Sequence, residues 1–275
     1  MTEQSVFDSI SADLSAGRTD GLTARILMIS ESTDDSYELL KCMSLLKLLP
    51  NDGTESRIAN KLVAVTKEQD RYQVSSALLN LDCPLFALDL LDGSGQEDKV
   101  TRLRCQCLMA LEEYESAMDA YSRISEPCIR DRIMLSSIQS SVGEHTSAID
   151  TATNLLNEMP DDYEVRIAYV NTLMMGGRTK DLQKYVRDGL KDKSADSNAV
   201  AAYVLRIQGN TKAAAGYATR AIRINDEHIG AMETLGICFA SVGEYEKAKI
   251  MASAINGVSP GDKAAINILS YCEGH

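Results

Sequence analysis

The chain has no tryptophan, only three phenylalanines and only five prolines in 275 residues. Sheet cores draw heavily on aromatic and β-branched residues, whereas scarce proline leaves long stretches free to keep helical hydrogen bonds. With Ala, Leu, Ser, Asp and Glu abundant instead, the composition predicts close-packed helices and an all-α fold. No stretch approaches the ~18 apolar residues that cross a bilayer, and the opening MTEQSVFDSISADLSAGRTD lacks a positive start followed by an apolar run. A cytoplasmic protein with no direct membrane insertion is therefore expected. Excess positive charge is missing too. A formal charge of −12 opposes a polyphosphate backbone, so nucleic acid is not the expected partner.

Catalytic chemistry also has little to draw on. The three histidines, His145, His228 and His275, fall after a turn glycine, at a joint between helices and at the terminal position, where each reads as an exposed polar side chain. The seven cysteines are odd in number and scattered through apolar helical patterns, which suits reduced thiols used as small apolar residues. Cys105 and Cys107 form a C-x-C, but two helical steps turn through about 200°, so their thiols diverge. No phosphate-cradling G-x-x-x-x-G-K-[ST] occurs, and the acidic runs SESTDD (30–35) and LEEYE (111–115) lack the ligand alternation of a calcium loop. No catalytic, metal or cofactor site is predicted.

What the chain does have is a period. Gly143, Gly177, Gly209 and Gly243 are spaced by 34, 32 and 34 residues, as in SVGEHTSA (141–148) and SVGEYEKA (241–248). Each follows an apolar-periodic segment, at the place where a helix ends in a left-handed residue. Ala148, Leu182, Ala214 and Ala248 fall five residues later, where a small side chain would let two antiparallel helices approach. Between the units stand MPDD, DKSADS, INDEH and SPGD, which combine helix stops with Asp, Ser or Asn as N-cap acceptors.

At this point the sequence resembles the tetratricopeptide repeat (TPR) family. METLGICF (232–239) reproduces the W-x-x-L-G-x-x-Y spacing with Met232 and Phe239 at its ends, and Ala248 and Pro260 follow in register. Leu135, Gly143, Ala148, Ala152 and Pro160 repeat the pattern earlier, over a resemblance that covers 129–272; LEEYESAMDAYSRI (111–124) resembles a second helix with Glu112 in place of the turn glycine. The resemblance implies one continuous right-handed α-solenoid of stacked antiparallel helix hairpins. Residues 1–96 read as degenerate helical repeats, with a separate N-terminal helical domain as the alternative, 97–261 as TPR-like repeats, and 262–275 as a C-terminal capping helix.

The same resemblance implies a groove lined by first helices. Its register assigns Lys99, Arg102 and Gln106 to one first helix and Arg130, Ile133, Met134 and Ser137 to the next. Ile167, Asn171, Met174 and Met175 follow, then Tyr203. The family members that grip acidic chaperone tails use Lys and Asn at set places, which here read Ile133, Ser137 and Ala168, then Ile167, Asn171 and Val200, and one Asn is no clamp. The expected ligand is a protein or peptide segment, amphipathic and with acidic residues opposite Lys99, Arg102 and Arg130, unless those cations pair locally with Glu97, Asp98 or Asp131. The expected function is a non-enzymatic interaction scaffold or adaptor. A dedicated chaperone for an aggregation-prone client is the alternative, because methionine-containing surfaces adapt to varied apolar ligands.

Overall fold

The computed structural model describes residues 3–50 and 53–273; Met1, Thr2 and His275, quoted above, lie outside them. Every regular element among the described residues is helical. Contacts divide the chain into two compact units, Met1–Cys128 and Ile129–His275. The first contains α1 (Glu3–Ser15), α2 (Leu22–Ser32), α3 (Ser36–Leu46), α4 (Thr54–Val65), α5 (Arg71–Asn80), α6 (Pro84–Leu91), α7 (Asp98–Ala110) and α8 (Tyr114–Tyr121). The second contains α9 (Ile129–Ser141), α10 (His145–Glu158), α11 (Tyr163–Met175), α12 (Gln183–Lys191), α13 (Ala195–Ile207), α14 (Thr211–Ile224), α15 (Ile229–Ala240), α16 (Tyr245–Val258) and α17 (Lys263–Glu273). Each unit is a stack of antiparallel helix hairpins, the TPR-like α-solenoid architecture that the period predicts.

The hairpin turns share one geometry. Gly143, Gly177, Gly209 and Gly243 take φ of 87°, 72°, 79° and 79°, the left-handed region that costs an L side chain ~1–2 kcal/mol. The next residue then donates its N–H five residues back, Glu144 to Gln139 O, Arg178 to Leu173 O and Asn210 to Leu205 O at 2.8 Å, and Glu244 to Phe239 O at 2.9 Å. This closes the first helix with its terminal carbonyls satisfied. Two more turns do the same without glycine. Asp82 and Glu112 adopt φ of 57° and 60°, with Cys83 N–H on Leu78 O and Glu113 N–H on Leu108 O at 2.9 Å. The hairpin turn therefore extends into the first unit, where Asp82 and Glu112 stand in the place of the glycine.

Five residues beyond each turn lies a side chain with no exposed area: Ala87, Ala117, Ala148, Leu182, Ala214 and Ala248. Leu182 departs from the small-residue pattern for a visible reason. A 3-10 turn over Thr179–Leu182 precedes α12 and displaces its start, and the close approach is made instead by Gly189, whose added Cβ would sit 2.6 Å from Ala201 Cβ and 3.0 Å from Ser197 O. In the second unit the first helices pack on one another, α9 on α11, α11 on α13, α13 on α15 and α15 on α17, while α10, α12, α14 and α16 reach the next hairpin by packing on its first helix. First helices thus form the inner layer and second helices the outer one.

The joints carry the expected caps with one correction. Asp162 Oδ1 accepts from Val165 N–H at 2.9 Å, Ser194 Oγ from Ser197 N–H at 3.1 Å and Asp262 Oδ1 from Ala264 N–H at 2.9 Å. At the third joint neither Asn225 nor Asp226 caps α15. His228 does, its Nδ1 accepting from Ala231 N–H at 3.2 Å, and the ring is 8% exposed rather than the exposed polar group expected from the sequence. Cys42, Cys83, Cys105, Cys107 and Cys238 are buried thiols; Cys105 Sγ turns to Ala117 O at 3.7 Å whereas Cys107 joins the core of the first unit.

Candidate functional site

Helical spacing of three and four places the candidate residues of each first helix on one side of it. In the first unit, Lys99 and Gln106 are exposed on α7 and Arg102 is half-buried between them. Lys99 Nζ reaches Glu97 at 2.9 Å and lies over the Tyr72 ring at 5.8 Å, and Arg102 Nη2 approaches Asp98 at 3.7 Å and donates to Glu126 O at 3.0 Å. Both cations have counter-charges on their own unit, so exposed pairs of this type add only ~0–1 kcal/mol.

In the second unit the inner layer brings several candidates together. Arg130, exposed at the start of α9, faces Glu164 of α11 at 3.5 Å. Ile133, Met134 and Ser137 are half-buried along the same helix, with Ser137 Oγ satisfied by Ile133 O at 3.3 Å. On α11, Ile167, Asn171 and Met174 are half-buried and Met175 is 49% exposed. Ile167 and Met174 join Tyr203 of α13 against one hydrophobic cluster around Val170, Leu173, Val200 and Val204. Val200 itself is fully buried and contributes core, not surface.

One polar contact crosses the layer between candidates. Tyr203 OH donates to Asn171 Oδ1 at 2.5 Å, and the Arg206 guanidinium lies 5.0 Å from the centre of the Tyr203 ring. Burial pushes the Tyr203 phenol above its ordinary pKa, so it remains a neutral donor throughout the physiological range. With its oxygen held, Asn171 keeps its Nδ2 hydrogens without an acceptor among the described residues, flanked by Ile167 and Met174 one helical turn away on either side. At the turn end of the same helices, Met174, Lys180, Gln183, Ile207 and Gln208 line a shallow cavity of about 450 Å³.

Sequence reasoning missed a second inter-hairpin contact beside this face. His228 Nε2 faces Asp196 Oδ1 at 3.2 Å, and Tyr163 meets the imidazole edge-on with ring centroids 4.8 Å apart. The lack of a Cβ on Gly230 leaves room for the Tyr163 hydroxyl. The signal available in the sequence was the pair His228 and Gly230 opening a helix, but the partners lie on two earlier helices and only folding joins them. The arrangement locks α11, α13 and α15 together. Among the described residues no group of three or more His, Cys, Asp or Glu side chains is placed to hold a metal ion, and no helix is long and apolar enough to cross a membrane.

Comparison with known proteins gives only loose likenesses. No family model and no curated protein matches the chain. Among solved structures, a tetratricopeptide repeat protein from Parabacteroides merdae is similar at 12% identity and a TM-score of 0.48, covering 86% of this chain and 98% of that one. Yeast Tom70 is similar at 12% identity and a TM-score of 0.46, over 94% of this chain and 59% of its own. A TPR protein of Thermus thermophilus follows at 14% identity and 0.40, over 74% and 98%. Superpositions this loose transfer no residue role, and the architecture rests on the turns, caps and layers described above.

Proposed function

We propose that the protein is a non-enzymatic interaction scaffold, acting in the cytoplasm, whose inner-layer face in the second unit captures a segment of a partner protein. The observation that supports this most directly is Asn171. Its oxygen is fixed by Tyr203 and its amide hydrogens are unspent, which equips it to grip a backbone carbonyl of a bound segment. Ile167, Met174 and Met175 supply the apolar contact area beside it, and Met134 and Ile133 extend that area along α9. Arg130 at one end adds a cation that can exchange Glu164 for a carboxylate of the ligand, so the segment we envisage is amphipathic with acidic residues. Lys99, Arg102 and Gln106 form a separate polar strip on the first unit that can steer the same class of ligand.

The exposure of Met175 next to half-buried Met174 and Met134 also supports a chaperone reading, because thioether side chains repack around varied apolar clients. Co-purification discriminates the two. A scaffold holds its partner in a lasting complex, whereas a chaperone holds a monomeric client that is absent from the finished assembly. Within either reading, Asn171→Ala and Met174→Ala should each speed dissociation of the native partner, since buried anchors govern off-rates. Unchanged off-rates in both variants would remove this face from consideration.

A further inference from the structure

The negative charge of the chain is unevenly spread. Residues 178–224 hold ten basic and four acidic side chains, a net +6, whereas the remainder holds 18 basic and 36 acidic, a net −18. Three of the four acids in the basic segment are engaged. Asp181 pairs with Arg178 at 2.5 Å, Asp192 accepts from the Ser194 and Ser197 hydroxyls at 2.9 and 2.5 Å, and Asp196 faces His228 at 3.2 Å. Asp188, half-buried on α12, is the fourth.

The cations of α12, of the joint after it and of the last turn of α14 have no such matches. Lys184, Arg187, Lys191, Lys193 and Arg223 are exposed, and none of them forms an ion pair among the described residues, in contrast to Arg18, Arg25, Lys47 and Arg57 of the first unit. A basic residue in the last turn of a helix complements its dipole, which accounts for Lys191 and Arg223. It does not account for the other three, nor for the apolar side chains set among them. Leu190 is 62% exposed and Ile224 53% exposed.

Leu190 and Ile224 flank a cavity of about 440 Å³ that Lys193, Asn198, Arg220 and Arg223 also line. Asn198 is 3% exposed; its Nδ2 donates to Ser194 O at 2.8 Å, but its Oδ1 has no hydrogen-bond partner. That oxygen is itself closed to solvent, so Asn198 builds the wall of the cavity.

We propose that this edge of the second unit is a further docking surface, occupied by a segment of another protein that carries carboxylates around one or two large apolar side chains. Carboxylates meet the unpaired cations, and apolar anchors cover Leu190 and Ile224. The phosphates of a nucleic acid would satisfy the cations but leave the apolar pair uncovered. None of these residues belongs to the inner-layer face, so the surface stands independently of the groove reading.

The test uses the full chain and a short fluorescein-labelled synthetic peptide of glutamate and leucine, followed by anisotropy at low salt. The account expects saturable binding that weakens about tenfold or more in Lys193→Glu/Arg223→Glu and in Leu190→Gln, and weakens similarly when the peptide's glutamates become glutamines. The substituted side chains are exposed, and an unaltered helical circular dichroism spectrum verifies the fold. Absence of binding, or equal binding to the charge-reversed variant, overturns the proposal. So does finding that the same residues instead drive salt-sensitive self-association in sedimentation, or attachment to phosphatidylserine vesicles, without binding the peptide.

Discussion

Replacing Gly243 by alanine isolates the cost of the hairpin turn from every other effect. The residue has φ of 79°, and a Cβ built on it meets nothing within 4 Å, so the substitution introduces backbone strain and no clash. An L residue in that conformation costs ~1–2 kcal/mol. Alanine also narrows the unfolded ensemble and recovers ~0.4–1 kcal/mol, which leaves a net loss of about 1 kcal/mol. Valine, β-branched, should lose ~1–2 kcal/mol or more at the same place. Gly257 is the internal control. It lies in α16, exposed, without a positive φ and likewise with open space around its Cβ. There, one residue before the end of α16, the same substitution should stabilise by at most ~0.5–1 kcal/mol, because alanine loses less backbone freedom than glycine on folding. Urea titrations followed by circular dichroism, compared at constant slope, read both changes. If Gly243→Ala and Gly257→Ala shift the midpoint in the same direction, the turn geometry and the register built on it are wrong.

Glu112→Gly should leave stability unchanged or raise it by up to ~1 kcal/mol, since relief of left-handed strain outweighs the added unfolded entropy; a clear loss in the same urea assay would contradict that balance. Gly189→Ala should destabilise by ~1–3 kcal/mol through overpacking of Ala201 and the Ser197 carbonyl, and a neutral melting temperature would show that α12 and α13 are less close than 2.6 Å implies. Native protein should leave Cys42, Cys83 and Cys107 unlabelled by a thiol reagent at mildly alkaline pH, because burial pushes these thiols up to about 11, 12 and 11, while exposed Cys128 reacts; labelling of the three ahead of unfolding would refute the packing of the first unit. Hydrogen bonds from Ser197 and Ser194 lower the Asp192 pKa below its unfolded value, so its contribution is present above the unfolded pKa and lost as pH falls through the folded one. Asp192→Asn should therefore flatten the acid limb of a stability-against-pH curve, and an identical limb would contradict the assignment.

The repeat was legible where its chemistry is local. A left-handed residue at a helix end favours glycine, so Gly143, Gly177, Gly209 and Gly243 announced four turns, and Ala148, Ala214 and Ala248 fell into place behind them. Glu112 takes the turn that the repeat's register assigned to it, whereas Asp82 performs the same turn but bears no compositional mark, because side-chain identity alone does not reveal a φ held by surrounding packing. The candidate face was legible in its membership, through helical spacing, but not in its couplings. Asn171 and Tyr203 could be placed on neighbouring first helices, yet their hydrogen bond spans 32 positions and depends on how two hairpins stack. His228 shows the opposite failure. A histidine at a joint reads as solvent-exposed until the fold sets Tyr163 and Asp196 around it and uses its Nδ1 as a helix cap. The basic edge was hidden by averaging, since the total of −12 conceals a +6 segment.

The central claim, that the inner-layer face of the second unit holds a partner segment, meets its most direct test in quantitative capture from the native cell. Wild-type chain, the double variant Asn171→Ala/Met174→Ala and the outer-edge variant Lys193→Glu/Arg223→Glu would be isolated in parallel and their bound proteins measured by mass spectrometry. The account predicts a specific set of partners that the wild type and the outer-edge variant retain and the inner-face variant loses. A set retained in full by the inner-face variant would contradict it.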